Sequence, residues 1–152
     1  MLPIKKILCP TDFSEASYKA LTAANELALH CCAELYLVHI FSSLEEVPPD
    51  FAGSGLSLWE IEELLKGSAE NSLQEVAKKV SKELHVRQTV TLGEAADEII
   101  RISRSEKVDL IVMATHGQTG WRHLVFGSVA EKVLRLAPCP VLTIGAQHGQ
   151  MN

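Results

Sequence analysis

Leu35 to Phe41 reads Leu-Tyr-Leu-Val-His-Ile-Phe, a nearly unbroken apolar run. A strand with one wet face alternates apolar and polar residues, whereas a continuous run suits a strand covered on both faces, as in a parallel sheet. Val108 to Met113 is a second such run, rich in β-branched residues. Parallel strands cannot be joined by tight hairpins, so the chain must cross over between them, usually through a helix. The sequence supplies four helical patterns. The first carries Ala20, Ala24, Leu27, Ala28 and Cys31 at helical spacing. The second runs from about Leu58 to Leu84 through Ile61, Leu65, Ala69, Leu73, Val76 and Val80, weakened at Gly67. The third follows Gly93 with Ala96, Ile99, Ile100 and Ser103, and the fourth opens at Gly127-Ser128 with Val129, Ala130, Val133, Leu134 and Leu136.

Three more strands complete the reading. Ile4 to Cys9 is the first, stopped by Pro10. Val86 to Leu92 alternates, with Val86, Thr89 or Val90, and Leu92 as candidates for burial. Pro138 ends the last helix, and Val141 to Ile144 is the final strand. Five strands alternating with four helices predict an α/β sandwich with a mostly parallel sheet and right-handed crossovers. Residues 1–145 are expected to form one domain, with 146–152 a frayed polar tail. Ser42 to Gly55, with Pro48-Pro49, Gly53 and Gly55, reads as a loop.

Charge and composition narrow the function classes. Of 152 residues 47% are hydrophobic and 22% charged, which suits a globular core, and the formal net charge is −5. Basic residues gather no further than pairs such as Lys78-Lys79, so no nucleic acid is expected as partner. No apolar run approaches the roughly 18 residues that span a bilayer. The N-terminus lacks the apolar core of a signal peptide, so the expected location is cytoplasmic and no membrane partner is expected. Cys9, Cys31, Cys32 and Cys139 show no metal-ligand spacing and read as reduced, mostly buried thiols.

The chemistry concentrates in two loops. After the strand at Val108 come Ala114 to Phe126, a turn-rich segment with Gly117 and Gly120, and then the helix at Gly127. Strand, glycine loop and helix N-terminus in that order are one way to build a phosphate site, since glycines let backbone approach a ligand and N–H groups at a helix start point at an anion. On that reading Gly117 and Gly127 allow close approach and the Ser128 hydroxyl binds phosphate oxygens. The same residues also read as an ordinary helix start, with Ser128 as N-cap and Glu131 as its capping-box partner. After the first strand, Asp12 is placed to contact a ribose or a magnesium ion carried by phosphates. It and Ser14 are equally candidates to cap the first helix, Asp12 with Glu15 at capping-box spacing. Pro10 and Thr11 would shape the wall of the same pocket. His116 reads as a loop-ordering or ligand-lining residue rather than a general base. His39, inside a strand, reads as a core histidine, and Trp121 as a residue that covers a ligand or packs at a subunit contact.

These residues carry a resemblance. Ala-Thr-His-Gly at 114–117, nine further residues, Gly127-Ser128 and then VAEKVLRLAPCPVLTI resemble the C-terminal signature of the universal stress protein family, whose nucleotide pattern is G-x-x-G, nine residues, G-[ST]. The N-terminal ILCPTDFSEAS resembles the same family's first strand and loop, so the likeness covers nearly the whole chain. Ala114 replaces the first glycine, and Gln118 stands where many members carry Arg or Lys, with Arg122 or His123 in the same loop to compensate. The resemblance implies a Rossmann-like open sheet of strand order 3-2-1-4-5 with helices on both faces. It implies an adenine nucleotide, ATP above all, with Mg2+ possible through Asp12. Ile40 would read the adenine edge through its backbone, and Met113, Ala114 and Val129 would offer backbone contacts. It implies a homodimer paired through the strand Pro140 to Ile144, acting as a regulatory switch on a protein client, with at most slow ATP hydrolysis. The alternative is a dimeric interaction module that binds no nucleotide. An adenylate-forming transferase or ATP pyrophosphatase would carry SGGxDS or HIGH-type loops, where this chain has PTDFSEAS.

Overall fold

In a computed structural model that describes residues 3–42, 48–117 and 126–145, the alternating pattern folds into a three-layer sandwich. The strands are β1 (Lys6–Pro10), β2 (Glu34–Phe41), β3 (Val86–Leu92), β4 (Leu110–Ala114) and β5 (Val141–Ile144). The helices are α1 (Glu15–Cys31), α2 (Leu58–Ala77), α3 (Ala95–Ser105) and α4 (Ser128–Leu136). All pairings are parallel and the order is β3-β2-β1-β4-β5, as the resemblance implied.

The continuous apolar runs are continuous because each strand feeds two cores. Ile7, Cys9, Leu35, Leu37, Leu110 and Val112 point to the layer of α1 and α2, where Leu21, Ala24, Ala28, Leu73 and Val76 meet them. Their neighbours Leu8, Tyr36, Val38, Ile111 and Met113 point the other way, to Ala96, Ile99 and Ile102 of α3 and Ala130 and Val133 of α4. With a side-chain period of two, a one-residue slip would exchange the two sets. Each fully buried Leu or Ile is worth about 1.5–3 kcal/mol, so the register is strongly held. Asp109 closes the far end of the central pairing: its Oδ2 accepts from the backbone N–H groups of Lys5 and Lys6, each at 2.9 Å. Among the described residues, no helix is long and apolar enough to cross a membrane.

Several local expectations are corrected. α2 stops at Ala77 although apolar spacing continues to Leu84; Val80 and Leu84 reach the first core from the turns that follow the helix. Leu92 is 43% exposed at the end of an edge strand, not buried. Ser14, not Asp12, caps α1 by accepting from the Ser17 N–H at 3.2 Å, and no Asp12–Glu15 box forms. Asp12 instead accepts from the Ser14 N–H at 3.0 Å, a local turn. Of the cysteines only Cys9 is fully buried; Cys31 and Cys139 are half-buried and Cys32 is exposed.

Candidate functional site

Pro10 closes β1 on one side only. β1 pairs with β2 as far as Pro10 opposite Val38, and the Thr11 N–H adds a bond to the Val38 carbonyl at 2.9 Å. Peptide groups alternate sides along a strand, so Thr11 faces β2 and Pro10 faces β4. Proline has no N–H to give there. Pairing between β1 and β4 ends earlier, with Leu8 opposite Ile111. The sheet thus opens into a crevice between β1 and β4, the point where strand order reverses and where open α/β sheets bind ligands.

The same alternation orients the strand ends that border the crevice. Val38 offers its carbonyl toward β1, and Phe41 offers its own toward β3, where the Gly93 N–H binds it at 3.0 Å. Ile40 therefore turns its peptide groups to the β1 side, two residues beyond the end of β1's pairing. On β4, Ile111 and Thr115 donate to the Pro140 and Ile144 carbonyls of the β5 segment, both at 3.0 Å. Met113, in phase with them, directs its peptide groups at β5 and its buried side chain into the second core. Those of Ala114 face the crevice. Ala114 is absent from the residues with positive φ, so the glycine-to-alanine replacement carries no backbone strain.

The loop after β1 is braced by Thr11. Its Oγ1 sits 3.0 Å from the Ser17 hydroxyl and accepts from the Phe13 N–H at 3.1 Å. Its carbonyl accepts from His39 Nδ1 at 2.8 Å, which fixes that ring's tautomer and satisfies the buried histidine. Phe13 has φ of 64°, the left-handed region, and its ring lies 4.3 Å from that of His39. Phe13 and His39 together are the support of the loop. Nothing in the local sequence signals the positive φ of a phenylalanine.

The β4 loop is clasped at its neck. The Gly127 N–H donates to the Thr115 carbonyl at 2.8 Å, and a Cβ on Gly127 would lie 3.3 Å from that oxygen. A Cβ on Gly117 would run into the Asp12 carboxylate, so the two loops touch at this point. His116 is half-buried, its Nδ1 hydrogen-bonded to the Thr115 hydroxyl at 3.1 Å. Gln118, Gly120, Trp121, Arg122 and His123 lie outside the described residues.

α4 starts on Gly127 as N-cap, with no side-chain capping bond. Ser128 is its first helical residue, which corrects the expected Ser128–Glu131 box. The helical ladder begins with the Glu131 N–H on the Gly127 carbonyl at 3.0 Å. The N–H groups of Ser128, Val129 and Ala130 have no acceptor within the helix, and the dipole adds partial positive charge there. A glycine-capped helix start beside a split sheet suits an anion. No group of three His, Cys, Asp or Glu side chains that could hold a metal ion occurs among the described residues.

The universal stress protein family model matches residues 3–145. A universal stress protein of Methanocaldococcus jannaschii, MJ0531, is 38% identical over 143 residues, covering 92% of this chain and 81% of that one. The solved structure of MJ0577, a universal stress protein of the same organism, superposes with a TM-score of 0.83 at 28% identity, covering 97% of this chain and all of that one. Two more distant solved structures share the fold. One is a universal stress protein in complex with cAMP (TM-score 0.67, 19% identity, 95% and 99% covered). The other is an Archaeoglobus fulgidus universal stress protein in complex with dAMP (0.64, 20%, 95% and 99%). By sequence along nearly its full length, and by fold, this chain belongs to the universal stress protein family.

Proposed function

We propose that this protein binds an adenine nucleotide, ATP in the first place, in the crevice between β1 and β4, and acts as a dimeric switch. The observation that carries the reading is the start of α4: a helix N-terminus capped by glycine alone, opening on the split that Pro10 creates. Two structures of the same fold hold cAMP and dAMP, which supports an adenosine site in such a crevice. In this arrangement the N–H groups of Ser128 and Val129, the Ser128 hydroxyl and the backbone at Gly117 and Gly127 hold phosphate. The peptide groups of Ile40 and Ala114 meet the base. Asp12 meets the ribose or a magnesium ion, Pro10 and Thr11 wall the pocket, His116 lines it, and Met113 supports it from the core side. β5 lies at a sheet edge with Leu142 exposed, and Leu134 and Leu136 of α4 are also exposed. A second copy paired through Pro140 to Ile144 covers that edge.

Thermal-shift and calorimetric titration with ATP, ADP, AMP and cyclic AMP, with and without magnesium, tests this. Ligand at about 100 times Kd adds roughly 2.7 kcal/mol, on the order of 5–10 °C in Tm for a domain this size. Ser128→Ala is expected to leave the ligand-free stability within about 0.5 kcal/mol of wild type, because α4 has no side-chain capping bond, while weakening nucleotide binding. The interaction-module alternative is favoured by one contact, the Asp12 carboxylate filling the space beside Gly117. No shift with any nucleotide at millimolar concentration would leave that alternative standing and sink the switch.

A further inference from the structure

We infer that the first turn of α2 is a docking surface for a basic, amphipathic segment of another protein. The feature comes from a mismatch of lengths. α2 has 20 residues and β3 has 7, about 30 Å of helix against about 23 Å of strand. A cavity of about 490 Å³ lined by Lys66, Glu70 and Gln74 of α2 and by Gln88 to Val90 of β3 fixes where the two run side by side. Counting back along the helix, its first turn overruns Leu92, the last residue of β3. Leu58 continues the core-facing stripe of Ile61, Ala69 and Leu73 past the end of β3. It is 71% exposed, Trp59 is 68% exposed and Leu56 38%. Three large apolar residues bare within four positions differ from the single exposed leucines of an ordinary surface.

Charge selects the occupant. Glu62 and Glu63 follow Trp59 by three and four residues and so flank it on the helix. No ion pair among the described residues involves Glu60, Glu62 or Glu63. Residues 48–65 hold four carboxylates, Asp50, Glu60, Glu62 and Glu63, and no Lys or Arg. A second copy would bring like charge against like, and an anionic membrane surface would do the same. A helix with leucines on one face and lysines beside them satisfies both the apolar and the acidic part. The inference stands whether or not the crevice takes nucleotide.

The test is calorimetric titration of the nucleotide-free protein with a Leu/Lys peptide of about 15 residues patterned at helical period, with a scrambled peptide of the same composition and a Leu/Glu peptide as controls. The patterned basic peptide is expected to bind. Leu58→Ala with Trp59→Ala, and separately Glu62→Gln with Glu63→Gln, should each weaken it about tenfold or more with Tm retained. Binding should fall with added salt. No binding, equal binding of the scrambled peptide, or indifference to both double variants overturns the proposal. So does loss of self-association in the Leu58→Ala/Trp59→Ala protein by sedimentation, which would make a second copy the occupant, or uptake by neutral lipid vesicles, which would make it a membrane.

Discussion

Gly117 is where the two loops of the crevice meet, and its missing side chain is what lets them meet. A methyl group there collides with the Asp12 carboxylate. Gly117→Ala is therefore expected to push the Asp12 carboxylate off its rotamer, at a cost of about 0.5–1.5 kcal/mol. The cost should shrink in an Asp12→Ala background, because the obstacle is then gone; urea unfolding of the four proteins in the cycle measures the coupling. Equal costs in both backgrounds would place the source elsewhere. This residue was legible in the sequence as a loop glycine beside a strand, but its partner was not, since Asp12 and Gly117 are joined only by the sheet order. Phe13 was not legible at all. Its left-handed φ of 64° is imposed by Thr11, which spends its hydroxyl on the Phe13 N–H, and by the stack on His39. Such strain is set by tertiary context and leaves no local pattern.

At the scale of elements, the helix ends decide most of what is distinctive. α1 ends in a left-handed turn at Cys32, φ 52°, with the Ala33 N–H on the Ala28 carbonyl at 2.9 Å and the Cys32 N–H on Leu29 at 3.3 Å. That is a Schellman stop built on a residue other than glycine. Cys32→Gly should relieve the Cβ strain and raise stability by about 0.5–1 kcal/mol, read as a rise of a few degrees in Tm. Element type and order were readable throughout, because apolar period distinguishes a buried strand from an amphipathic helix. Boundaries were less so. The period of α2 runs on to Leu84 since Val80 and Leu84 pack onto the same core from turns, so burial persists after the helix has stopped. At α4 the serine-to-glutamate spacing was a false signal: Gly127 occupies the cap, tied by its N–H to Thr115, and shifts Ser128 one place into the helix.

At the scale of the whole molecule, Cys9 and Glu106 contribute to the pH response at its two ends. Burial pushes the Cys9 thiol from 9.0 to about 12. A group whose folded pKa is raised favours the folded state below the unfolded value and loses that contribution as pH climbs, so stability should decline between about pH 9 and about 12. At the opposite pole Glu106 accepts from Arg87 Nη1 at 2.8 Å and pairs with Lys6 at 3.4 Å. Arg87 first, and Lys6 after it, hold the carboxyl below its ordinary 4.5. Its contribution is present above that value and fades as pH falls through the depressed pKa. Urea unfolding at stepped pH should show both limbs, the alkaline one flattened in Cys9→Ala and the acid one in Glu106→Gln. The sheet order has a further consequence, for the order of events in synthesis. β1 has a neighbour on each side, and one of them, β2, follows at once through α1. The other, β4, begins at Leu110. At ribosomal rates of roughly 5–20 residues per second, the nascent chain waits about 3–14 s between completing β2 and starting β4. Throughout that interval the innermost strand of the finished molecule is an outer one, with an open row of hydrogen-bonding groups. The half-made protein is thus most vulnerable to sticking at the very strand that is best protected at the end.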